Sequence, residues 1–156
     1  MKLLFLDIDG VLNSDRYDRE RDRMKTGNID ETRLDLIKEI VDKTGAKIVL
    51  TSTWRYHWHP NKELCDDTGK ELNRVFNAHG VEIFDKTSRL GMFIDRSEEV
   101  KDYLEFCTEE IEAFAIIDDY MYGWGDLEPY FVKTSPQIGY GLMNNHVERV
   151  ISILNK

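Results

Sequence analysis

The sequence predicts an α/β fold in which helices cover both faces of a parallel sheet. Short apolar runs of strand length alternate with helical patterns along the chain, and three of those runs end in acidic or hydroxyl residues. Strands that alternate with helices form crossover units, and such units build parallel sheets. The 156 residues suffice for one domain with a full core, so we expect a single domain over residues 1–156.

The first half of the chain predicts three strands and two helices. Residues 2–6 form a nearly continuous apolar run, which is typical of a strand covered on both faces. Asp30 can cap the first helix, and Gly45 can end it. The predicted strands are residues 2–6, 46–50 and 81–84, and the predicted helices are residues 30–43 and 71–78.

The second half predicts two more helices and two more strands. Asp95 and Glu98 fit a capping box at the start of the third helix. In the last helix, apolar residues at helical spacing mark a buried face: Val147, Val150, Ile151 and Leu154. The predicted strands are residues 113–117 and 130–133.

Composition and charge limit the function classes. Hydrophobic residues make up 41% and charged residues 33% of the chain, which is typical of a globular protein. The net charge of −9 excludes bulk attraction to polyanions, so a phosphate or nucleic acid must be held by a local patch or a metal ion. The chain has no membrane-length apolar run, no signal-peptide pattern and two cysteines, so we expect reduced thiols, no membrane contact and a cytoplasmic location.

Polar residues follow three of the predicted strands. In parallel sheets of this kind, ligands bind beyond the carboxyl ends of the strands. A sheet that places the first and fourth strands side by side would bring four carboxylates together. The residues at these strand ends are Asp7 and Asp9, then Thr51 and Ser52, then Asp118 and Asp119.

Four carboxylates at one point repel each other unless a cation lies among them. Oxygen ligands without His or Cys select a hard ion, most simply Mg²⁺. With such an ion held by Asp7, Asp9, Asp118 and Asp119, one carboxylate of the first pair can attack phosphorus and form an aspartyl-phosphate. The other can protonate the leaving oxygen and later deprotonate water.

Neighbouring residues supply the other groups that this chemistry needs. Gly10 permits a tight turn and a close approach of backbone N–H groups to phosphoryl oxygens. Thr51 or Ser52 can donate a hydroxyl hydrogen bond to the same oxygens. We expect Arg96, at the start of the third helix, to balance the charge, with Lys86 as the alternative.

The chain resembles the haloacid dehalogenase superfamily of phosphatases in four motifs. That family has D-x-D-G-V/T after the first strand, a Thr or Ser after the second, a Lys or Arg before the penultimate crossover helix, and an acidic pair after a later strand. The matching residues are Asp7, Asp9, Gly10 and Val11, then Thr51, then Arg96, then Asp118 and Asp119. The resemblance implies a three-layer Rossmannoid fold with a five-stranded parallel sheet in the order 5-4-1-2-3.

A closer resemblance is to the small branch of this superfamily that is linked to RNA-repair proteins. The matching segments are "DIDGVLN", "TSTWR", "RSEEV", "IIDD" and Gly141-Leu142, and Thr51 replaces the Ser that begins the second segment in that branch. Residues 13–30 and 55–95 are too short, or too occupied by core elements, to form a cap domain. By analogy with uncapped members, the site is expected to be open and to suit bulky or polymeric substrates.

The resemblance implies a Mg²⁺-dependent phosphatase that acts through an aspartyl-phosphate. We expect Asp7 to be the nucleophile and Asp9 the general acid and base. Arg55 either binds the substrate phosphate, which is the role we assign to it, or braces the acidic cluster. The expected substrate is a phosphate monoester on a nucleotide or a nucleic-acid end. The alternatives are a small-metabolite phosphatase and a non-catalytic phospho-binding module.

Three further segments have two readings each. The basic residues of the segment after the first motif form either a solvated loop or a clamp for phosphates: Arg16, Arg19, Arg21, Arg23 and Lys25. The aromatic residues after the fourth motif either pack or stack nucleobases: Tyr120, Tyr122, Trp124 and Tyr130. His57, His59 and Cys65 are three candidate zinc ligands. A structural zinc site needs four, and no clear fourth is present, so we expect no structural zinc.

Overall fold

The computed structural model describes residues 1–14, 29–137 and 139–156. Its centre is a five-stranded parallel sheet with the strand order β3-β2-β1-β4-β5, which is the predicted order read from the opposite edge. The strands are β1 Lys2–Leu6, β2 Lys47–Leu50, β3 Ile83–Lys86, β4 Ala113–Asp118 and β5 Phe131–Lys133. The predicted α/β fold is therefore confirmed.

Four α-helices and three short 3₁₀ helices complete the described part of the chain. The α-helices are α1 Glu31–Thr44, α2 Asp67–Ala78, α3 Arg96–Phe106 and α4 Asn144–Leu154. The 3₁₀ helices are Thr53–His57, Lys62–Leu64 and Gly125–Tyr130. None of the helices in the described ranges is long and apolar enough to cross a membrane.

The side chains of β1 alternate between two cores. Leu4 and Leu6 belong to a core cluster that also contains the buried residues of α1, α2 and α4, whereas Leu3 and Phe5 pack in a second cluster with Val100 of α3. Successive side chains of a strand point to opposite faces of a sheet. Helices therefore cover both faces, as predicted, and the four apolar residues of the central strand β1 are fully buried.

The helix ends follow the capping residues in the sequence. Asp30 caps α1 by accepting a hydrogen bond from the Thr32 N–H, and Gly45 ends the helix with a φ of 73°. Asp95 caps α3 by accepting hydrogen bonds from the N–H groups of Ser97 and Glu98. This cap fixes the first residue of α3, which is Arg96, at the carboxyl edge of the sheet.

Two elements differ from their predicted bounds by more than one residue. Helix α2 begins at Asp67, four residues before the predicted start, because Asp66 caps it through the Gly69 N–H. The helix contains a glycine at position 69 because a Cβ there would be 2.0 Å from the His57 carbonyl oxygen. Strand β3 is Ile83–Lys86 instead of 81–84, and Asp85 and Lys86 pair in register with Val49 and Leu50. Pairing with β2 therefore decides the bounds of this short edge strand.

The connections between the described elements are short. The segment between β2 and α2 contains two 3₁₀ helices, and the segment between β3 and α3 is a loop. The described ranges therefore contain no large cap domain, as predicted. Near the end of the chain, the Leu142 N–H donates to the Val11 carbonyl oxygen over 2.8 Å, which ties this segment to the turn after β1.

Candidate active site

Three carboxylates meet where β1 and β4 end. The two strands pair directly, and the Asp7 N–H donates to the Ile117 carbonyl oxygen over 3.1 Å. Asp118 is the last residue of β4, and Asp119 follows it. One carboxylate oxygen from each of Asp7, Asp118 and Asp119 lies within 4.8 Å of the other two. These three residues, which we call the acidic cluster, are three of the four strand-end acids that the sequence predicts to come together.

Burial and mutual repulsion change the protonation of the acidic cluster. Burial and the Asp118 charge raise the pKa of Asp7 well above its usual range, although the Arg96 charge partly opposes them. Burial and the Asp118 charge also raise the pKa of Asp119, to about 6. Three carboxylates this close to one another form an all-oxygen donor set, which fits a hard cation such as Mg²⁺.

Arg96 is the cation of the acidic cluster. Its Nη1 atom lies 2.6 Å from Asp118 Oδ2 and 3.1 Å from Asp7 Oδ1. Burial alone would lower the pKa of Arg96, but the charges of Asp7 and Asp118 raise it above its ordinary value, so the guanidinium stays charged. Lys86, the alternative, donates instead to the carbonyl oxygens of Arg55 and Trp58. The geometry therefore favours Arg96 over Lys86 as the motif cation.

Thr51 places an unpartnered hydroxyl beside the tip of β1. Its backbone N–H donates to the Leu6 carbonyl oxygen over 3.0 Å, and its side chain is completely buried. Its Oγ1 atom has no hydrogen-bond partner among the described residues. A buried polar group without a partner costs about 1–3 kcal/mol. Such a hydroxyl is therefore available for a ligand.

Ser52 contacts the backbone that follows it. Its Oγ accepts a hydrogen bond from the Trp54 N–H over 3.2 Å and caps the 3₁₀ helix Thr53–His57. The sequence predicts a phosphate contact for Ser52, and the contact that the structure records is this cap. Of the two hydroxyl residues after β2, Thr51 is thus the one whose hydroxyl has no hydrogen-bond partner among the described residues.

Gly10 makes room for the acidic cluster. Its φ is +80°, and a Cβ at this position would lie 2.2 Å from Asp119 Oδ2. Its N–H donates to the Asn13 side-chain oxygen over 2.8 Å, so this N–H is not free to meet a phosphoryl oxygen. The predicted phosphate contact of Gly10 is therefore corrected: the residue permits the turn and the close approach of Asp119.

Asp9 lies outside the acidic cluster. Its side chain is exposed, and its two oxygens accept hydrogen bonds of 3.1 Å from the Trp54 indole N–H and from the Asn13 side-chain amide. The sequence predicts Asp9 as a fourth metal ligand, but the group of carboxylates that could share an ion contains Asp7, Asp118 and Asp119 only, among the residues described. The Asp9 side chain is oriented by hydrogen bonds instead.

Asn13 and Trp54 are site residues that sequence reasoning missed. Asn13 is buried and links the Gly10 N–H to Asp9 Oδ1, and Trp54 holds Asp9 Oδ2. Both belong to the segments "DIDGVLN" and "TSTWR" that carry the resemblance. These segments therefore indicated both residues, but residue type alone does not reveal which carboxylate their side chains bind.

Arg55 is a structural residue. Its Nε donates to the Thr87 carbonyl oxygen, its Nη1 to those of Thr51 and Ser52, and its Nη2 to both carboxylate oxygens of Glu99. A guanidinium has five N–H donors, and these bonds use the full set. The predicted phosphate contact of Arg55 is therefore wrong. The residue braces the segment that presents Thr51.

The His57, His59 and Cys65 segment does not join the site. His57 Nδ1 pairs with Asp66, and Cys65 Sγ accepts a hydrogen bond from the His59 backbone N–H. Within the described ranges, the acidic cluster is the only group of three His, Cys, Asp or Glu side chains close enough to share an ion. The basic residues of the proposed phosphate clamp, Arg16, Arg19, Arg21, Arg23 and Lys25, lie outside the described residues.

Comparisons with known proteins identify the family. The family model described as the HAD domain in Swiss Army Knife RNA repair proteins matches residues 3–147. Neither a search of curated proteins nor a search of solved structures gave a significant match. HAD stands for haloacid dehalogenase, and such domains generally use Mg²⁺, for which the acidic cluster is a suitable donor set. Because the match covers most of the sequence, the chain belongs to this family of HAD domains, which implies a phosphatase-type hydrolase.

Proposed function

We propose that this protein is a Mg²⁺-dependent phosphatase that hydrolyses a phosphate monoester through an aspartyl-phosphate on Asp7. One observation carries the proposal. The acidic cluster, the Arg96 guanidinium and the unpartnered Thr51 hydroxyl converge on the tip of β1. Such a reaction needs carboxylates that hold a metal and attack phosphorus, a fixed positive charge, and a hydroxyl that donates to the phosphate, all at one place.

The metal would be held by the acidic cluster. Asp7, Asp118 and Asp119 would supply its protein ligands, since their oxygens already lie within 4.8 Å of one another. When bound there, Mg²⁺ would offset the repulsion among these carboxylates and stabilise negative charge on the phosphoryl oxygens. Arg96 adds a fixed positive charge to the same cluster and favours the ionised form of Asp7.

Asp7 would act as the nucleophile. One of its carboxylate oxygens attacks phosphorus, the bond from phosphorus to the ester oxygen breaks, and an alcohol leaves. The Thr51 hydroxyl would donate to a phosphoryl oxygen, because its Oγ1 is buried next to the β1 tip without another partner. A positioned donor of this kind stabilises charge that develops in the transition state.

Asp9 would transfer protons. It gives a proton to the leaving oxygen, then takes one from the water that attacks phosphorus and releases Asp7. Its position supports this assignment, because its carboxylate is exposed, lies outside the acidic cluster, and is oriented by Trp54 and Asn13. A proton donor must be held at a defined angle to the leaving group, and two hydrogen bonds supply that restraint.

We propose that the substrate is a phosphate on a nucleotide or at the end of a nucleic acid. The support is the family description, which refers to RNA repair, together with the absence of a large cap over the described site. A small-metabolite phosphatase is the second candidate. The observation that favours it is the net charge of −9, which provides no broad attraction for a polyanion.

A panel of phosphate esters tests the proposal. It contains 3′- and 5′-phosphorylated oligonucleotides, phosphorylated nucleosides and sugar phosphates, each assayed with Mg²⁺ and with EDTA. We expect turnover with Mg²⁺ only, and Thr51→Val should lower kcat by roughly 10²-fold, as the loss of one oxyanion donor does elsewhere. Equal rates in EDTA, or no hydrolysis of any ester, would contradict the proposal. Faster hydrolysis of sugar phosphates than of nucleosides and oligonucleotides would select the second candidate.

A further inference from the structure

Two segments with exposed apolar side chains adjoin Arg96 or its ring partner Tyr122. The first is in the loop between β3 and α3, where 80% of the Met92 surface and 95% of the Phe93 surface are exposed. The second directly follows Asp119, where Tyr120 is 61% and Met121 is 56% exposed. Side chains of this size are normally buried, so a cluster of them at a site edge requires an explanation. We call Met92, Phe93, Tyr120 and Met121 the apolar rim.

Contacts within the chain connect both segments of the apolar rim to the acidic cluster. The Tyr120 ring packs edge-on against Tyr122 with centroids 4.8 Å apart, and the Tyr122 ring lies 5.2 Å from the Arg96 guanidinium. Arg96 in turn pairs with Asp7 and Asp118. The second segment is therefore one aromatic ring away from the charged groups of the site.

The loop with Phe93 leads directly into Arg96 along the chain. It ends at Asp95, which caps α3 and directly precedes Arg96. Asp95 Oδ2 lies 3.8 Å from the position that a Cβ on Gly123 would occupy, so the loop end adjoins the segment that begins with Tyr120. Both halves of the apolar rim therefore lie near Arg96, which pairs with two carboxylates of the acidic cluster.

We propose that the apolar rim binds the nucleobase of the nucleotide that carries the phosphate. This inference rests on the proposed phosphatase function and names the part of the substrate that the site recognises. A nucleotide has a base at one end and a phosphate at the other. Exposed aromatic rings can contact the base while the neighbouring phosphate site holds the phosphate. Stacking on such rings is worth enough to change affinity by roughly tenfold or more per base, and every base offers a flat face.

The charge of the chain supports this occupant. A net charge of −9 gives no broad positive field, so contacts to backbone phosphates cannot supply most of the affinity. Stacking does not depend on that field. A sugar phosphate without a base would gain nothing from the apolar rim, whereas a nucleotide would bury its base against it.

Matched substrates with and without the base test the inference. The first is an oligonucleotide phosphorylated at the end that the wild-type enzyme hydrolyses, and the second is the same oligonucleotide with an abasic residue at that end. We expect kcat/KM of the wild type to be roughly tenfold higher for the substrate with the base. In Phe93→Ala, in Tyr120→Ala and in the double variant, this ratio should fall toward one. Phe106→Ala is the control, because Phe106 is 72% exposed at the opposite end of α3, and it should keep the wild-type ratio.

The outcomes separate this inference from the proposed function. If the wild type hydrolyses no phosphate ester, the proposed function fails first. If it hydrolyses both oligonucleotides with equal kcat/KM, or if the rim variants keep the wild-type ratio, the base-binding inference is overturned while the phosphatase function stands. Light scattering supplies the other overturning result: a dimer of the wild type that Phe93→Ala dissociates would assign the apolar rim to self-association. The melting temperature of each variant shows that it is folded, and these exposed positions should change it little.

Discussion

The two sides of the β1 tip are built in opposite ways. On the side of β4, the three carboxylates of the acidic cluster lie close together, Arg96 pairs with two of them, and the pKa values of Asp7 and Asp119 are raised. On the side of β2, the ion pair of Arg55 with Glu99 has every guanidinium donor satisfied. Both sides are buried, and both contain an arginine with carboxylate partners.

The difference distinguishes residues that act on a ligand from residues that stabilise the fold. Excess negative charge in a buried place destabilises the fold unless a ligand offsets it, so it is retained where a ligand acts. A buried ion pair with all its hydrogen bonds made fixes a geometry and offers nothing to a ligand. Removing a charge should therefore have opposite effects on the two sides.

Asp7→Asn gives the largest expected effect on activity. The amide cannot attack phosphorus, so kcat should fall on the order of 10⁴-fold or more. Because the change also removes a charge from the acidic cluster, the melting temperature in EDTA should stay the same or rise. Activity assays and thermal unfolding of the purified variant measure both effects. Asp126→Asn, at an exposed position, is the control, and unchanged turnover of Asp7→Asn would exclude Asp7 as the nucleophile.

Glu99→Gln should show the reverse pattern. It leaves the buried Arg55 charge without its counter-ion, which costs about 3 kcal/mol or more of unfolding free energy. The activity per folded molecule should change much less than in Asp7→Asn, because Glu99 touches no group of the acidic cluster. Denaturant unfolding is the measurement, with the exposed neighbour Glu98→Gln as the control. A stability equal to that of the wild type would show that the pair does not support the fold.

Trp54→Phe tests how the β2 side orients Asp9. The variant keeps an aromatic ring and loses the 3.1 Å hydrogen bond to Asp9 Oδ2, so we expect a loss in kcat of roughly tenfold. The loss should be larger for alkyl phosphates, whose leaving oxygen needs a proton, than for p-nitrophenyl phosphate. Tyr56→Phe, in the same 3₁₀ helix, is the control. An equal loss for both substrates would indicate general damage to the site instead of misplacement of a proton donor.

The smallest expected effect is the pH dependence of the metal-free protein. A carboxyl group whose pKa is raised in the fold binds its proton more tightly when folded, so it stabilises the protein at low pH and loses that contribution as pH rises. For Asp119, with a pKa of about 6, this contribution to the melting temperature in EDTA should fall by roughly 3 °C between about pH 4 and pH 6. Asp119→Asn should reduce this slope, and Mg²⁺ at pH 7 should raise the melting temperature. If Asp119→Asn keeps the pH dependence of the wild-type melting temperature over this range, the raised pKa of Asp119 is contradicted, because the other carboxyl groups contribute equally to both proteins.

The strand-end acids could be predicted from the sequence because their positions follow from strand order. Asp7, Asp118 and Asp119 lie at the ends of two apolar runs, and adjacent parallel strands bring such ends together. Arg96 was predictable for a similar reason, as the first residue of the helix that leads into β4. Local patterns therefore identify residues whose place is fixed by the backbone.

The residues that could not be predicted depend on side-chain contacts across long sequence separations. Arg55 pairs with Glu99, 44 positions away, and only that contact shows that its donors are used. Asp9 was placed on the metal because it lies two residues from Asp7, but its hydrogen bond to Trp54 spans 45 positions. The need for Gly10 likewise comes from Asp119, which no local pattern reveals.

A phosphoenzyme experiment with Asp9→Asn tests the division of labour between Asp7 and Asp9 most directly. With p-nitrophenyl phosphate the leaving group needs no proton, so Asp7 should still be phosphorylated, while hydrolysis of the phosphoenzyme should slow by roughly 10²–10⁴-fold without a base for water. We expect a burst of p-nitrophenol close to one per chain, followed by slow turnover. Quenching and peptide mass spectrometry should then locate the phosphate on Asp7. The absence of a burst and of any phosphopeptide, or a phosphate on Asp118 or another residue, would contradict the account.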